Sequence, residues 1–259
     1  MAGEYQTVEV ERDESIGTVR VARPEAMNAV NAQVLVELAD AIETLSPEVQ
    51  TVVLTGEGDD AFIGGGDIKE FQDQSGIWFR SEFREAMSDL EEAIEGSRVP
   101  VIAAVNGAAL GGGTEIALMC DLIVATESAI FGLPEIGLGI IPGAGGTQRL
   151  AHLVGYLKAK ELILTGKHIS ASEAVEIGLA NEVVDDDEFD THIDELATEL
   201  ADGPPVAQWF AKKSINETRA QLESGLELEA ALAGLLFETE DKEEGLSAFV
   251  EKRDPSFGK

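Results

Sequence analysis

The sequence has few of the residues from which disulfides and metal sites are built. Cys120 is the only cysteine among 259 residues, so no intrachain disulfide can form, which fits a reducing cytoplasm. The three histidines, His152, His168 and His192, are far apart and have no further ligands at metal-site spacing around them. We therefore expect no metal site. The sequence also has no P-loop, no dinucleotide-binding glycine fingerprint after its first strand and no nucleophile elbow.

Long apolar runs and basic residues are scarce as well. No run of 18 apolar residues occurs, and the first 14 residues have neither a basic region nor an apolar stretch. We expect no transmembrane helix, no secretory signal and a cytoplasmic location. Only 18 basic residues stand against 50 acidic ones, which gives a net charge of −32. Because such a field repels polyanions, neither nucleic acid nor membrane is expected as a partner.

The acidity itself indicates adaptation to a salt-rich cytoplasm. At about 1 M salt the Debye length falls to about 3 Å, so the repulsion among carboxylates is screened. Acidic side chains then mainly keep the surface hydrated. We expect the protein to unfold on dialysis into dilute buffer, and full stability without salt would contradict this interpretation.

The hydrophobic pattern predicts an α/β body over residues 1–200 and a helical region over residues 201–259. Alternating residues at 7–12 and 18–22 predict two half-exposed strands, and short apolar runs at 52–54, 101–105 and 122–125 predict buried strands. Helices are predicted over residues 31–45, 81–94, 157–164, 170–176, 188–201, 205–222, 226–237 and 242–252.

A loose internal repeat lies within the body. A buried strand, a loop and three glycines that open a helix occur over residues 52–70 and again over 101–119. Units of this kind stacked in series suggest a layered α/β superhelix. Glycines at a helix start leave N–H groups open to a ligand oxygen, and two such starts together could form an oxyanion hole. The alternative is that the glycines only permit tight turns and close packing.

Two glutamates accompany these glycines. Glu115 follows the second triplet by two residues, and Glu135 lies in an apolar segment rich in glycine and proline. Glu115 is either a first-turn acid stabilised by the helix dipole or a general acid/base. Glu135 is either a solvated turn acid or an acid whose desolvation raises its pKa toward the range useful for proton transfer.

Several segments, in order along essentially the whole chain, resemble the enoyl-CoA hydratase (crotonase) family. They are residues 23–29 (RPEAMNA), 64–70 (GGGDIKE), 100–107 (PVIAAVNG), 109–115 (ALGGGTE), 131–135 (FGLPE), 142–150 (PGAGGTQRL) and 244–253 (EGLSAFVEKR). The resemblance implies a crotonase-like spiral of ββα repeats with a C-terminal helical extension. In the family this extension covers the active site and builds trimers, commonly paired into hexamers.

The resemblance also implies roles for single residues. The backbone N–H groups of Gly66 and Gly112 would hold the enolate oxygen of an acyl-CoA thioester. Glu115 would orient and activate water for attack at Cβ, and Glu135 would handle the proton at Cα. The position of Gly66 is often alanine in the family. Contacts to CoA would come from the two segments that contain Arg23, Ala26, Gly64, Gly65, Asp67, Ile68 and Lys69. For Arg23 a plain surface charge is an equal alternative.

The function implied is that of an enoyl-CoA hydratase without a cofactor, because CoA is part of the substrate. It would add water reversibly, in syn geometry, to a trans-2-enoyl-CoA. One alternative is another crotonase-type lyase or isomerase, such as a hydratase for branched or methylglutaconyl-CoA. The non-enzyme alternative is a catalytically silent CoA-binding or RNA-binding member. The acidity argues against RNA, and the presence of both glutamates argues against a silent protein.

Overall fold

The computed structural model describes residues 5–216 and 223–257, apart from the side chains of residues 223 and 224. Its strands are β1 (Val8–Asp13), β2 (Ile16–Val21), β3 (Thr51–Gly56), β4 (Val101–Val105), β5 (Ala108–Leu110), β6 (Leu122–Thr126), β7 (Ile130–Gly132), β8 (Ile169–Ser170) and β9 (Glu182–Val184). The larger sheet has the order β1-β2-β3-β4-β6-β9, and the smaller one has the order β5-β7-β8. Every strand predicted from the sequence is present.

The larger sheet is parallel except for the β1–β2 hairpin at its edge. All five residues of β4 are buried, as a strand covered on both faces requires. Strand β1, at the edge, keeps most of its residues exposed or half-buried. The continuous apolar runs and the alternating runs therefore distinguish the central strands from the edge strands, as predicted.

The helices are α1 (Ala32–Leu45), α2 (Ile68–Phe71), α3 (Gly76–Trp78), α4 (Arg84–Glu95), α5 (Gly112–Ala117), α6 (Gly146–Val154), α7 (Tyr156–Thr165), α8 (Ala171–Glu176), α9 (Phe189–Ala201), α10 (Pro205–Asn216), α11 (Glu223–Leu236) and α12 (Glu240–Glu251). A π-helical turn, Phe79–Phe83, precedes α4, and a 3₁₀ turn spans Pro134–Leu138. The predicted helix over 205–222 is confirmed as far as Asn216, and residues 217–222 lie outside the described residues. No helix of the described residues is both long and apolar enough to cross a membrane.

Local capping explains where several helices begin. The side chain of Asn31 accepts a hydrogen bond from the Val34 amide at 2.9 Å and starts α1. Ser170 does the same for the Glu173 amide at 3.1 Å and starts α8. The apolar stripe of α1 at positions 34, 35, 38, 42 and 45 is buried.

One parallel bridge brings the repeated segments side by side, because Ile63 of the first pairs with Ala109 of the second. A second bridge pairs Gly66 with Val30. The first glycine triplet therefore lies beside the second, although 47 positions separate Gly64 from Gly111 in the sequence. The C-terminal helices complete this region: α11 packs against α3 and α6, and α12 packs against the turn Pro134–Leu138.

Candidate active site

Glu115 lies in the first turn of α5, in the interior of the molecule. The residue is 4 % exposed. Its Oε1 accepts hydrogen bonds from the amides of Ala144 and Gly146, both at 2.8 Å. A Cβ on Gly146 would lie 2.9 Å from the same oxygen, so this glycine permits the close approach of the carboxylate. The carboxylate is thus held by the backbone at the start of α6.

Burial, followed by the negative charge of Glu229, raises the pKa of Glu115, whereas the two backbone donors and the charge of Arg149 lower it. The net effect raises the pKa of Glu115 to about 7. A group with a pKa near the working pH is present in both protonation states, which suits a general base.

Glu135 is held differently, in the 3₁₀ turn Pro134–Leu138. Its Oε2 is buried and has no hydrogen-bond partner among the described residues, although the residue as a whole is half-buried. A Cβ on Gly111 would lie 2.7 Å from its Oε1, and Gly111 has a φ of +52°. Burial, followed by the nearby charge of Glu115, raises the pKa of Glu135 well above its usual range. The protonated form of Glu135 is therefore favoured, as a proton donor requires.

The backbones of Gly66 and Gly112 lie close together. A Cβ on Gly112 would lie 4.0 Å from the Gly66 nitrogen. Neither amide donates a hydrogen bond within residues 5–216 and 223–257. Two amides without acceptors, close together and beside two acids, can hold an oxygen on which negative charge develops.

The first glycine triplet differs from its prediction in one respect. The amides of α2 are capped by Asp67, whose Oδ1 accepts from the Lys69 amide at 3.2 Å. Gly66 therefore precedes the cap and is not itself a helix start. Gly112, by contrast, is the first residue of α5. The donor pair consists of one loop amide and one helix-start amide, because an aspartate follows only the first triplet.

The predicted CoA contacts lie along one edge of this region. Arg23 donates to Asp67 Oδ2 at 2.9 Å and to the carbonyl of Ala29 at 2.5 Å. Its guanidinium therefore links the segment from Arg23 to Ala29 with Asp67. Lys69 is exposed and free to reach an anionic ligand. The same edge includes three half-buried residues, Gly64, Ile68 and Ala26, and the buried Gly65.

One further acid of this region, Glu229, is not among the residues predicted from the sequence. Glu229 on α11 is 3 % exposed and accepts from the Gly145 amide at 2.6 Å and the Thr147 amide at 2.7 Å. It also accepts from the Thr147 hydroxyl. The signal was present, because Glu229 interrupts a stripe of buried apolar residues on α11: Leu226, Ala230 and Ala233. A carboxylate at such a position indicates specific hydrogen-bond donors.

Arg149 is the buried cation of the same region. It is 4 % exposed, donates to the carbonyl of Ala144 and pairs with Glu91 at 2.6 Å and Glu95 at 3.0 Å. These pairs raise its pKa, so the guanidinium stays charged. No cluster of three or more histidine, cysteine or acidic side chains within the described ranges is arranged to hold a metal ion.

Comparison with known proteins places the chain in a family. The enoyl-CoA hydratase/isomerase family model matches residues 11–259. A crotonyl-CoA hydratase of Syntrophomonas wolfei is 41% identical over 256 residues, 98% of either chain. A short-chain-enoyl-CoA hydratase of Clostridium acetobutylicum is 41% identical over 253 residues, 96% of this chain and 97% of its own.

A solved structure agrees with these relatives. The crystal structure of an enoyl-CoA hydratase from Mycobacterium avium subsp. paratuberculosis superposes with a TM-score of 0.89 at 31% identity, over 98% of this chain and 99% of that one. The chain belongs to the enoyl-CoA hydratase/isomerase family. The predicted family and fold class are confirmed, with the crotonase-like α/β body and helical C-terminal region.

Proposed function

We propose that this protein is an enoyl-CoA hydratase that adds water to a trans-2-enoyl-CoA and forms the 3-hydroxyacyl-CoA. The observation that carries the proposal is the pair of acids in opposite protonation environments beside two unpaired amides. Relatives 41% identical over nearly the whole chain have hydratase names, which supports the same reaction here. No cofactor is needed, because the thioester of the substrate itself delocalises the charge.

The chemistry divides among these groups. Water adds to Cβ while Glu115 takes one of its protons, which requires the ionised carboxylate. The electron pair of the double bond moves to the thioester oxygen, where the amides of Gly66 and Gly112 would hold the charge. Glu135 then gives its proton to Cα, and the enolate collapses to the product. The proton gained by Glu115 must finally return to Glu135, which restores both acids.

A short acyl chain is the proposed substrate. The ring of Phe71 lies against Gly66, where a Cβ would be 2.5 Å from its Cε2. Around it an aromatic cluster fills the space beside the amide pair, formed by Phe71, Trp78, Phe79, Phe83 and Phe237. The names of the two relatives also refer to crotonyl-CoA and to short chains.

The direct experiment mixes the protein with crotonyl-CoA in molar salt and follows the loss of the conjugated thioester absorbance. We expect rapid loss with this four-carbon substrate and slower loss as the chain lengthens. No loss of absorbance with any enoyl-CoA would contradict the hydratase proposal. Movement of the double bond in a 3-enoyl-CoA, without hydration, would instead identify an isomerase.

The same proposal includes the assembly and the habitat. Exposed apolar side chains on the C-terminal helices, among them Phe210, Leu228, Leu235 and Phe249, support a homotrimer or a dimer of trimers. The net charge of −32 supports a salt-rich cytoplasm. Sedimentation in molar potassium chloride tests the first point, with a monomer contradicting it. Dialysis into dilute buffer tests the second, with unfolding expected.

A further inference from the structure

Four successive backbone amides at the start of α6 are shared between two buried carboxylates. The amides of Ala144 and Gly146 donate to Glu115, at 2.8 Å each. The alternate amides, those of Gly145 and Thr147, donate to Glu229 at 2.6 and 2.7 Å. Any displacement of this segment therefore changes the hydrogen bonds of both acids.

The helix that carries Glu229 packs directly on the segment. A Cβ on Gly145 would lie 3.1 Å from Leu226 Cδ2, and a Cβ on Gly143 would lie 3.2 Å from the Cβ of Ala233. Positions 226, 229 and 233 lie on one face of α11. Helix α11 thus packs on the segment through apolar contacts on both sides of the Glu229 carboxylate.

Nothing in the reaction described above requires Glu229. A buried carboxylate costs stability unless donors compensate for its lost hydration. Here two amides and the Thr147 hydroxyl compensate for it. Three donors bind a carboxylate that takes no part in the reaction, which indicates that Glu229 holds the segment in place.

We infer that Glu229 is a positioning residue for Glu115. Through the amides of Gly145 and Thr147 it fixes the segment whose other two amides orient the Glu115 carboxylate, and it places a negative charge beside that carboxylate. The C-terminal helical region thereby contributes directly to the geometry of the general base. This inference rests on the proposed hydratase function.

The charges around the pair decide the direction of the expected pH effect. The groups that face Glu115 and Glu229 are Glu135 from the 3₁₀ turn, Arg149 from α6, and Glu91 and Glu95 from α4 by way of Arg149. Burial raises the pKa of Glu229, whereas its three donors and Arg149 lower it. Glu229 accepts from three donors and Glu115 from two, and such donors stabilise the ionised form. The charge of Glu229 raises the pKa of Glu115, so removal of the charge must lower that pKa.

The test replaces Glu229 by glutamine, which keeps the shape and removes the charge. In Glu229→Gln we expect kcat for crotonyl-CoA to fall about tenfold, since a general base contributes 10²–10³ or more and is here only displaced. KM should change less than threefold, because no substrate contact is lost. The limb of the pH profile near pH 7 should move to lower pH.

Glu227→Gln is the matched control. Glu227 lies on the same helix and is exposed. The substitution removes one negative charge from the same region without touching the segment. We expect wild-type kcat, KM and pH profile in this variant. A limb that moves equally in both variants would show a general field effect and overturn the positioning role.

A second variant keeps the inference testable where Glu229→Gln does not fold. Thr147→Val removes the hydroxyl donor to Glu229 and keeps the backbone amide and the side-chain volume. With one donor fewer, Glu229 is less readily ionised, so the limb should again move to lower pH, by a smaller amount. An unchanged limb in Thr147→Val would then count against the inference.

A double-mutant cycle with Glu115→Gln distinguishes action through Glu115 from an independent structural effect. In the Glu115→Gln background we expect Glu229→Gln to have little further effect on kcat, less than twofold. A further tenfold loss in that background would overturn the inference. Wild-type hydration of crotonyl-CoA is measured first, so a failure of the proposed function is recognised separately from a failure of this inference.

Discussion

The two acids of the site differ most in how the backbone around them is arranged. Glu115 stands on a helix, and two amides donate to one of its oxygens. Glu135 stands on a 3₁₀ turn, and one of its oxygens is buried without any donor among the described residues. Both are desolvated, but only Glu115 accepts from two amides of another segment of the described chain. The two environments favour the proposed roles of Glu115 as a base and of Glu135 as an acid.

The hydrogen-bond donors, and not burial alone, distinguish the two environments. Burial raises the pKa of both carboxyls and favours their neutral forms. The amides of Ala144 and Gly146 bring Glu115 back to about 7, within the range where it can accept a proton. Pairs of titratable groups with separated pKa values are a recurrent arrangement in acid–base enzymes.

The largest expected effect comes from removing either acid. Glu115→Gln and Glu135→Gln should each lower kcat for crotonyl-CoA by at least about 10²-fold, because each removes one proton transfer. The two variants should differ in their pH profiles. Glu115→Gln should lose the limb near pH 7, and Glu135→Gln should keep it. Steady-state rates from pH 5 to 9 check this.

The folded state serves as the control for both variants. Their circular dichroism and their assembly in molar salt should match the wild type, since glutamine retains the volume and an acceptor oxygen. A wild-type rate in either variant would refute the assignment of the pair. A limb near pH 7 that disappears in Glu135→Gln and persists in Glu115→Gln would reverse the two roles.

A smaller effect is expected from moving Glu135 without removing it. In Gly111→Ala the new Cβ would meet Glu135 Oε1 at 2.7 Å, and the φ of +52° would add backbone strain. We expect kcat to fall about tenfold or more, since a misplaced acid transfers its proton poorly. Gly137→Ala is the matched control. Gly137 lies in the same 3₁₀ turn as Glu135, and a Cβ there meets nothing within 4 Å. Equal rates in the two variants would contradict the close packing of Gly111 on the acid.

Much of this arrangement could be predicted from the sequence. The buried strand at residues 101–105 and the stripe of α1 follow from local periodicity and were found with their observed bounds or within a residue or two. The roles of Glu115 and Glu135 came from the family motifs and remain predictions, although the structure does bring the two acids together. Their proximity follows from the parallel pairing of β5 with β7, because each strand directly precedes the segment of one acid.

Glu229 could not be found in the same way. Its partners are the amides of Gly145 and Thr147, which are 84 and 82 residues away in the sequence. Backbone amides leave no trace in residue identity, so no motif marks the contact. Likewise, the capping of α2 by Asp67 depends on side-chain geometry, and the glycine pattern alone predicted a helix start at Gly66. Side-chain contacts to distant backbone amides therefore could not be predicted from the sequence.

The smallest effect concerns stability, and its sign follows from the raised pKa of Glu115. The folded protein binds this proton more tightly than the unfolded chain, with a pKa of about 7 against the ordinary 4.5. The stability contributed by the neutral form is therefore complete below about pH 4.5 and is lost as the pH rises through about 7.

In Glu115→Gln this loss cannot occur. The free energy of unfolding of the variant should exceed that of the wild type above pH 7, and the difference should vanish near pH 4.5. Urea unfolding in molar potassium chloride, at one protein concentration and several pH values, measures the difference, with Glu227→Gln as the exposed control. A difference that does not change with pH would show that Glu115 is no more basic than an ordinary glutamate, and the distinction between the two acids would fail.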